Sequence, residues 1–134
     1  MQSDSSDPAF AFTAGAVSGT FEVLEYQAAA YREMGAAEAA ATIANLKPFI
    51  LDVRTSGEFA GGHLEGAVLL PVQQLQTRLG ELSAHRDDPV FIYCQSGNRS
   101  TVAAKLLIDA GFTNVMNLRR GIGEWKGAGL PVVK

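Results

Sequence analysis

Cysteine is nearly missing from this sequence: Cys94 is the only one in 134 residues. A disulfide framework within the chain is thereby excluded, and a reducing compartment fits. Histidine is almost as scarce, with only His63 and His85. One cysteine and two scattered histidines offer no metal-ligand spacing, so no metal site is expected. Long apolar runs are lacking too; none approaches the ~18 residues of a membrane span. No basic residue precedes Arg32, so the charged start of a secretory signal is missing. The expectation is a cytoplasmic protein with no membrane partner. A signal already removed would leave no trace, which keeps a periplasmic origin as the alternative. Positive charge is not in surplus either: the net charge of -3 argues against a nucleic-acid partner.

What is present is a globular composition, 47% hydrophobic and 19% charged, long enough for one domain with a real core. Charge is unevenly placed. Residues 1–93 carry 5 basic and 12 acidic side chains, whereas residues 94–134 carry 6 and 2. The segment that starts at the cysteine is therefore net positive, which suits a small anionic substrate. Residues 1–20, rich in Ser, Asp and Gly, read as a flexible tail, and residues 21–134 as the folded domain.

Within that domain, Phe21 to Ala30 fits a strand or a first helical turn, and Tyr31 to Met34 a short edge strand. Alanine-rich Ala36 to Leu46 predicts a helix ended by Pro48. Apolar Phe49 to Val53 suits a parallel strand buried on both faces. Thr55 and Glu58 have capping-box spacing, which predicts a short helix over Ser56 to Ala60. Ala67 to Leu70 is the next strand. Val72, Leu75, Leu79 and Leu82 at helical spacing predict a helix over 72–82, followed by a polar turn that leaves His85 in solvent. Val90 to Tyr93 predicts a strand, Ser100 to Ala110 a helix, Asn114 to Leu118 a last strand and Ile122 to Lys126 a short helix. Alternating strands and helices indicate an α/β fold in three layers, a mostly parallel central sheet covered by helices on both faces. Ligands of such sheets bind outside the carboxyl ends of the strands, and Asp52, Cys94 and Arg119 each fall at a strand end.

Cys94 stands where a buried strand meets a helix, with the polar loop Gln95-Ser96-Gly97-Asn98-Arg99 between them. A lone cysteine after a buried strand is ordinarily a small buried hydrophobe. Here the loop can curl so that successive N–H groups point at the sulfur, and Arg99 adds a fixed positive charge. Both lower a thiol pKa and hold negative charge on sulfur. Ser100 is placed to cap the helix. Structural hydrogen bonding is the expected role of His63, and no local signature makes either histidine a base for Cys94. Gly121-Ile122-Gly123 begins like a dinucleotide fingerprint, but Lys126 occupies the third glycine position. Arg119-Arg120 fits a surface pair or an anion contact.

Several motifs in order resemble the rhodanese family of single-domain sulfurtransferases, over roughly Tyr31 to Val133. Leu51-Asp52-Val53-Arg54 with Glu58-Phe59 is similar to its first signature, and Gly62-His63-Leu64-Glu65-Gly66-Ala67 with Pro71 to its second. Cys94 to Ser100 resembles the active-site loop; Asn117-Leu118, Gly121, Trp125 and Gly129-Leu130-Pro131-Val132 resemble the C-terminal signature. The resemblance implies a rhodanese-like domain with Cys94 as the sulfur-carrying nucleophile and a Cys94 persulfide as intermediate. Loop residues Gln95, Ser96, Gly97, Asn98, Arg99 and Ser100 would bind the sulfur donor; Arg119 and Arg120 are added as helpers on their position after the last strand, not on the resemblance. Asp52, Arg54, Glu58 and His63 would brace the site. The implied donor is a small anion such as thiosulfate, the acceptor cyanide, a thiol or a partner protein, and no cofactor is needed. Phosphatases and arsenate reductases of the same fold have a loop one residue longer; here four residues separate Cys94 from Arg99. A non-catalytic persulfide carrier or sensor that delivers sulfur to a partner protein is the first alternative, and a cysteine phosphatase or arsenate reductase of the same fold the second. Arg120 departs from the family, where a glycine is usual.

Overall fold

The computed structural model describes residues 31–134. The expectations for a tail over 1–20 and for Phe21 to Ala30 lie outside the described residues. Among the described residues, five strands form one parallel sheet: β1 Arg32–Met34, β2 Phe49–Asp52, β3 Val68–Leu69, β4 Val90–Tyr93 and β5 Val115–Leu118, in the order β1-β5-β4-β2-β3. Tyr31 to Met34 thus does form an edge strand.

Central β4 explains the architecture. All four of its residues are buried. Val90 and Ile92 join one apolar cluster, with Leu51, Val115 and Ala103, Ala104 and Leu107 of helix α4 (Asn98–Asp109). Phe91 and Tyr93 join a second, with Ile50, Met116, Ala39 of α1 (Ala36–Leu46) and Ile122 and Trp125 of α5 (Gly121–Gly127). A strand buried on both faces reads as a continuous apolar run because each side-chain parity meets a different helix layer. Trp125 is core; its indole N–H donates to the Pro131 carbonyl at 2.8 Å.

Three local expectations are corrected. The segment predicted as one helix over 72–82 is a single α-turn, α3 (Val72–Leu75), continued as 3-10 turns over Gln76–His85. Its apolar residues still face the core, with Leu75 and Leu82 buried. The Thr77 and Ser83 hydroxyls donate to the carbonyls of Gln74 and Gly80, three residues back, which favours the tighter turn. His85, expected in solvent, is half-buried and stacks on Phe49 with ring centroids 4.0 Å apart. Finally, α4 starts at Asn98, two residues early, and its N-cap is Gly97 instead of Ser100. Helix α2 (Ser56–Ala60) has the capping box its spacing predicts, Thr55 and Glu58 bonding reciprocally. No helix among the described residues is long and apolar enough to cross a membrane.

Candidate active site

Register places Asp52 beside Tyr93 on neighbouring strands, so Cys94 emerges from the middle of the sheet at its carboxyl rim. The chain then turns sharply at Gly97, whose φ of 106° lies in the left-handed region. A Cβ at this position would strike the Arg119 carbonyl oxygen. Gly121, with φ 68°, is pressed in the same way against the carbonyls of Cys94 and Gln95. Ile122 N–H donates to Cys94 O at 2.9 Å and Gly123 N–H to Gln95 O at 3.2 Å. Residues 119–123 therefore form a backbone wall that holds the cysteine loop closed.

Inside the loop, donors converge on sulfur. Gly97 N–H lies 3.0 Å and Ser100 N–H 3.3 Å from Cys94 Sγ, and the Ser100 hydroxyl is 3.4 Å away. Burial alone pushes the Cys94 thiol up. The Ser100 hydroxyl and the N–H groups of Ser100, Gly97 and Ser96 push it down, and the net result lies below the ordinary thiol value. Ser100 thus serves the sulfur where capping was expected. As a thiol, Cys94 donates to Ser100 Oγ, and that hydroxyl donates to Gly97 O at 3.2 Å. Once the thiol ionises, the hydroxyl can turn to the sulfur. Gly97 O then keeps two donors, Thr101 N–H at 3.2 Å and Thr101 Oγ1 at 2.8 Å. Ser100→Ala is expected to remove a charge-assisted donor from the thiolate and only a weak acceptor from the thiol, which raises the thiol pKa. The pH profile of Cys94 alkylation should move up by about one pH unit, with a slower rate at neutral pH.

Two arginines beside the loop are paired with carboxylates. Asp52 and Arg54 are fully buried, with Arg54 Nη2 2.7 Å from Asp52 Oδ2 and 2.7 Å from the Gly62 carbonyl. Arg54 Nη1 reaches Gln95 Oε1 at 3.4 Å, which ties this pair to the loop. Arg99 is half-buried and grips Glu58 with both terminal nitrogens, at 2.8 and 2.9 Å. Arg99, followed by the Thr55 N–H, holds the Glu58 carboxyl down at about 2. A carboxylate depressed below its ordinary 4.5 stabilises the fold fully above that pH and loses the contribution as pH falls towards 2. Glu58→Gln should flatten this acid limb, at about 1 kcal/mol after discounting for partial exposure, as read by urea melts at pH 6 and pH 3.

His63 Nδ1 donates to the Phe59 carbonyl at 2.9 Å and the ring stacks on Phe59, while its backbone bridges Val133. His85 pairs with Asp88 beyond the opposite, amino end of β4. Gln95, Ser96 and Asn98 are exposed at the loop surface. Arg119 is not brought to the sulfur; it extends towards Gly35 and Glu124, with Nη2 3.7 Å from Glu124 Oε2. Arg120 is exposed, its main chain against Gly97. The Gly62 carbonyl and Thr101 were not foreseen as part of the site. A Ser-Thr pair straight after the loop was the one local signal for Thr101.

The chain belongs to the rhodanese family: the Rhodanese-like domain matches residues 35–128. Among curated relatives it is 42% identical over 84 residues to a "Sulfurtransferase" of Allochromatium vinosum, covering 63% of this chain and 77% of that one. It is 37% identical over 91 residues to "Thiosulfate sulfurtransferase 16, chloroplastic" of Arabidopsis thaliana, covering 60% and 76%. Of two other curated relatives, from Bacillus subtilis and Escherichia coli, the chain spans 63% and 60% of the length. The crystal structure of a rhodanese-related protein from Thermoplasma volcanium superposes with a TM-score of 0.69 at 32% identity, over 77% of this chain and 98% of that one. The three-layer α/β fold implied by the motif resemblance is therefore the fold observed.

Proposed function

We propose that this protein is a sulfurtransferase that moves a sulfane sulfur from a small anionic donor to a thiophilic acceptor through a Cys94 persulfide. The observation that carries this reading is the set of N–H and hydroxyl donors around Cys94 Sγ, which favours negative charge on sulfur. The Cys94 thiolate attacks the outer sulfur of thiosulfate. A sulfur–sulfur bond forms to Cys94, the donor's sulfur–sulfur bond breaks, and sulfite leaves with the electron pair. The persulfide retains one negative charge, held by the same loop donors. Cyanide or a thiolate then attacks the outer sulfur, and Cys94 leaves as thiolate. Charge balances in both steps, and the chemistry as written needs neither metal nor organic cofactor. Asp52, Arg54 and Glu58 brace the loop through Gln95 and Arg99, and His63 braces the segment beside Gly62 through Phe59 and Val133.

Steady-state rates with thiosulfate and cyanide are expected to give parallel double-reciprocal lines, and Cys94→Ser to show no turnover. Intersecting lines would contradict a covalent intermediate. Burial of Cys94, at 1% exposure, also favours a second reading. A persulfide sheltered to that degree suits a carrier that hands sulfur to a partner protein. Stable loading with negligible turnover on small acceptors would select it.

A further inference from the structure

An anionic donor needs a positive charge that is not already spent on a carboxylate, and most arginines around the cysteine loop are committed. Arg54 is buried on Asp52 and the Gly62 carbonyl. Arg99 is held by both oxygens of Glu58. Arg119 extends to Glu124 and Gly35. Arg120 is different. It has no carboxylate partner among the described residues, and it is exposed. Its backbone position is also pinned from both sides. The preceding carbonyl, of Arg119, abuts Gly97, and the following Gly121 is pressed on the Cys94 and Gln95 carbonyls. The Arg120 Cα itself lies 3.7 Å from where a Gly97 Cβ would stand.

We infer that Arg120, and not the loop's own Arg99, is the specificity-determining cation that selects anions at Cys94. The inference rests on the sulfur-transfer reading for the identity of the anion, a doubly charged oxyanion donor such as thiosulfate. It does not rest on that reading for the charge selection itself.

Alkylation of Cys94 by iodoacetate and by iodoacetamide separates the two, because the reagents have similar shape and differ by one negative charge. At low ionic strength the iodoacetate-to-iodoacetamide rate ratio should fall about fivefold in Arg120→Gln, the upper end for an exposed charge pair. Arg120→Lys should keep the wild-type ratio, and so should Arg119→Gln. Added salt should shrink the wild-type preference. An unchanged ratio in Arg120→Gln, an equal fall in Arg119→Gln, or no reaction of wild-type Cys94 with either reagent would overturn the assignment. Thiosulfate carries a second charge, so persulfide loading should fall further in Arg120→Gln, by about twentyfold. Wild-type protein that takes up no sulfur, yet shows the Arg120-dependent alkylation ratio, would refute the donor and leave the cation assignment standing.

Discussion

Gly97→Ala is expected to disable the site while leaving most of the fold in place. Gly97 holds φ at 106°, where an L side chain is strained by about 1–2 kcal/mol. The added Cβ would also collide with the Arg119 carbonyl oxygen, a backbone atom fixed by β5 and the wall that follows it. Neither partner can swing aside as a flexible side chain would. The loop must therefore move, and with it the Gly97 N–H that lies 3.0 Å from Cys94 Sγ. Its carbonyl, which receives Ser100 and Thr101, must move as well. Two consequences are measurable. Thermal unfolding should come down by roughly 4–8 °C for each kcal/mol in a domain of this size. The Cys94 pKa should rise to the ordinary thiol range or above, because burial persists while the donors are lost, so alkylation at neutral pH should slow by about tenfold or more. A variant that keeps the wild-type alkylation profile would show that the loop donors do not set thiolate character.

Arg54→Met should carry the largest stability loss among side chains at the rim. Asp52 and Arg54 are 0% and 2% exposed. Removing the guanidinium leaves a buried carboxylate that keeps the residue 54 backbone N–H, 3.0 Å away, and the Tyr93 hydroxyl but no positive charge. Orphaning one member of a buried ion pair typically costs about 3–5 kcal/mol. A domain with total stability of about 5–15 kcal/mol would lose much of its margin. The cause is the unpaired charge, so Asp52→Asn combined with Arg54→Met should recover a large part of the loss in urea melts. If the double variant is as unstable as the single one, packing around Tyr93 and Gly62 is responsible instead, since Arg54 also lies over the Tyr93 ring at 5.5 Å.

Local chemistry was legible in the sequence; contacts between distant segments were not. Val90 to Tyr93 and Phe49 to Asp52 read as strands because both faces are buried, so the apolar run is uninterrupted. The Thr55–Glu58 cap was visible because its two partners are three residues apart. Glu58 with Arg99 was not, for 41 residues separate them and nothing local marks the pair. The same holds for Gly97 and the Arg119 carbonyl, a backbone contact with no side-chain signature. Ser100 misled for a physical reason. A serine before an apolar helical run normally caps it, but glycine at 97 reaches the left-handed turn that starts the helix earlier, and frees the hydroxyl for sulfur.

Covalent sulfur on Cys94 is read without any acceptor assay by intact-protein mass spectrometry. Wild-type protein incubated with excess thiosulfate and then desalted should gain the mass of one sulfur atom. Cyanide should return it to the starting mass, and Cys94→Ser should gain nothing. Wild-type protein that remains unmodified under donor excess, or a Cys94→Ser protein that gains the same mass, would rule out a Cys94 persulfide.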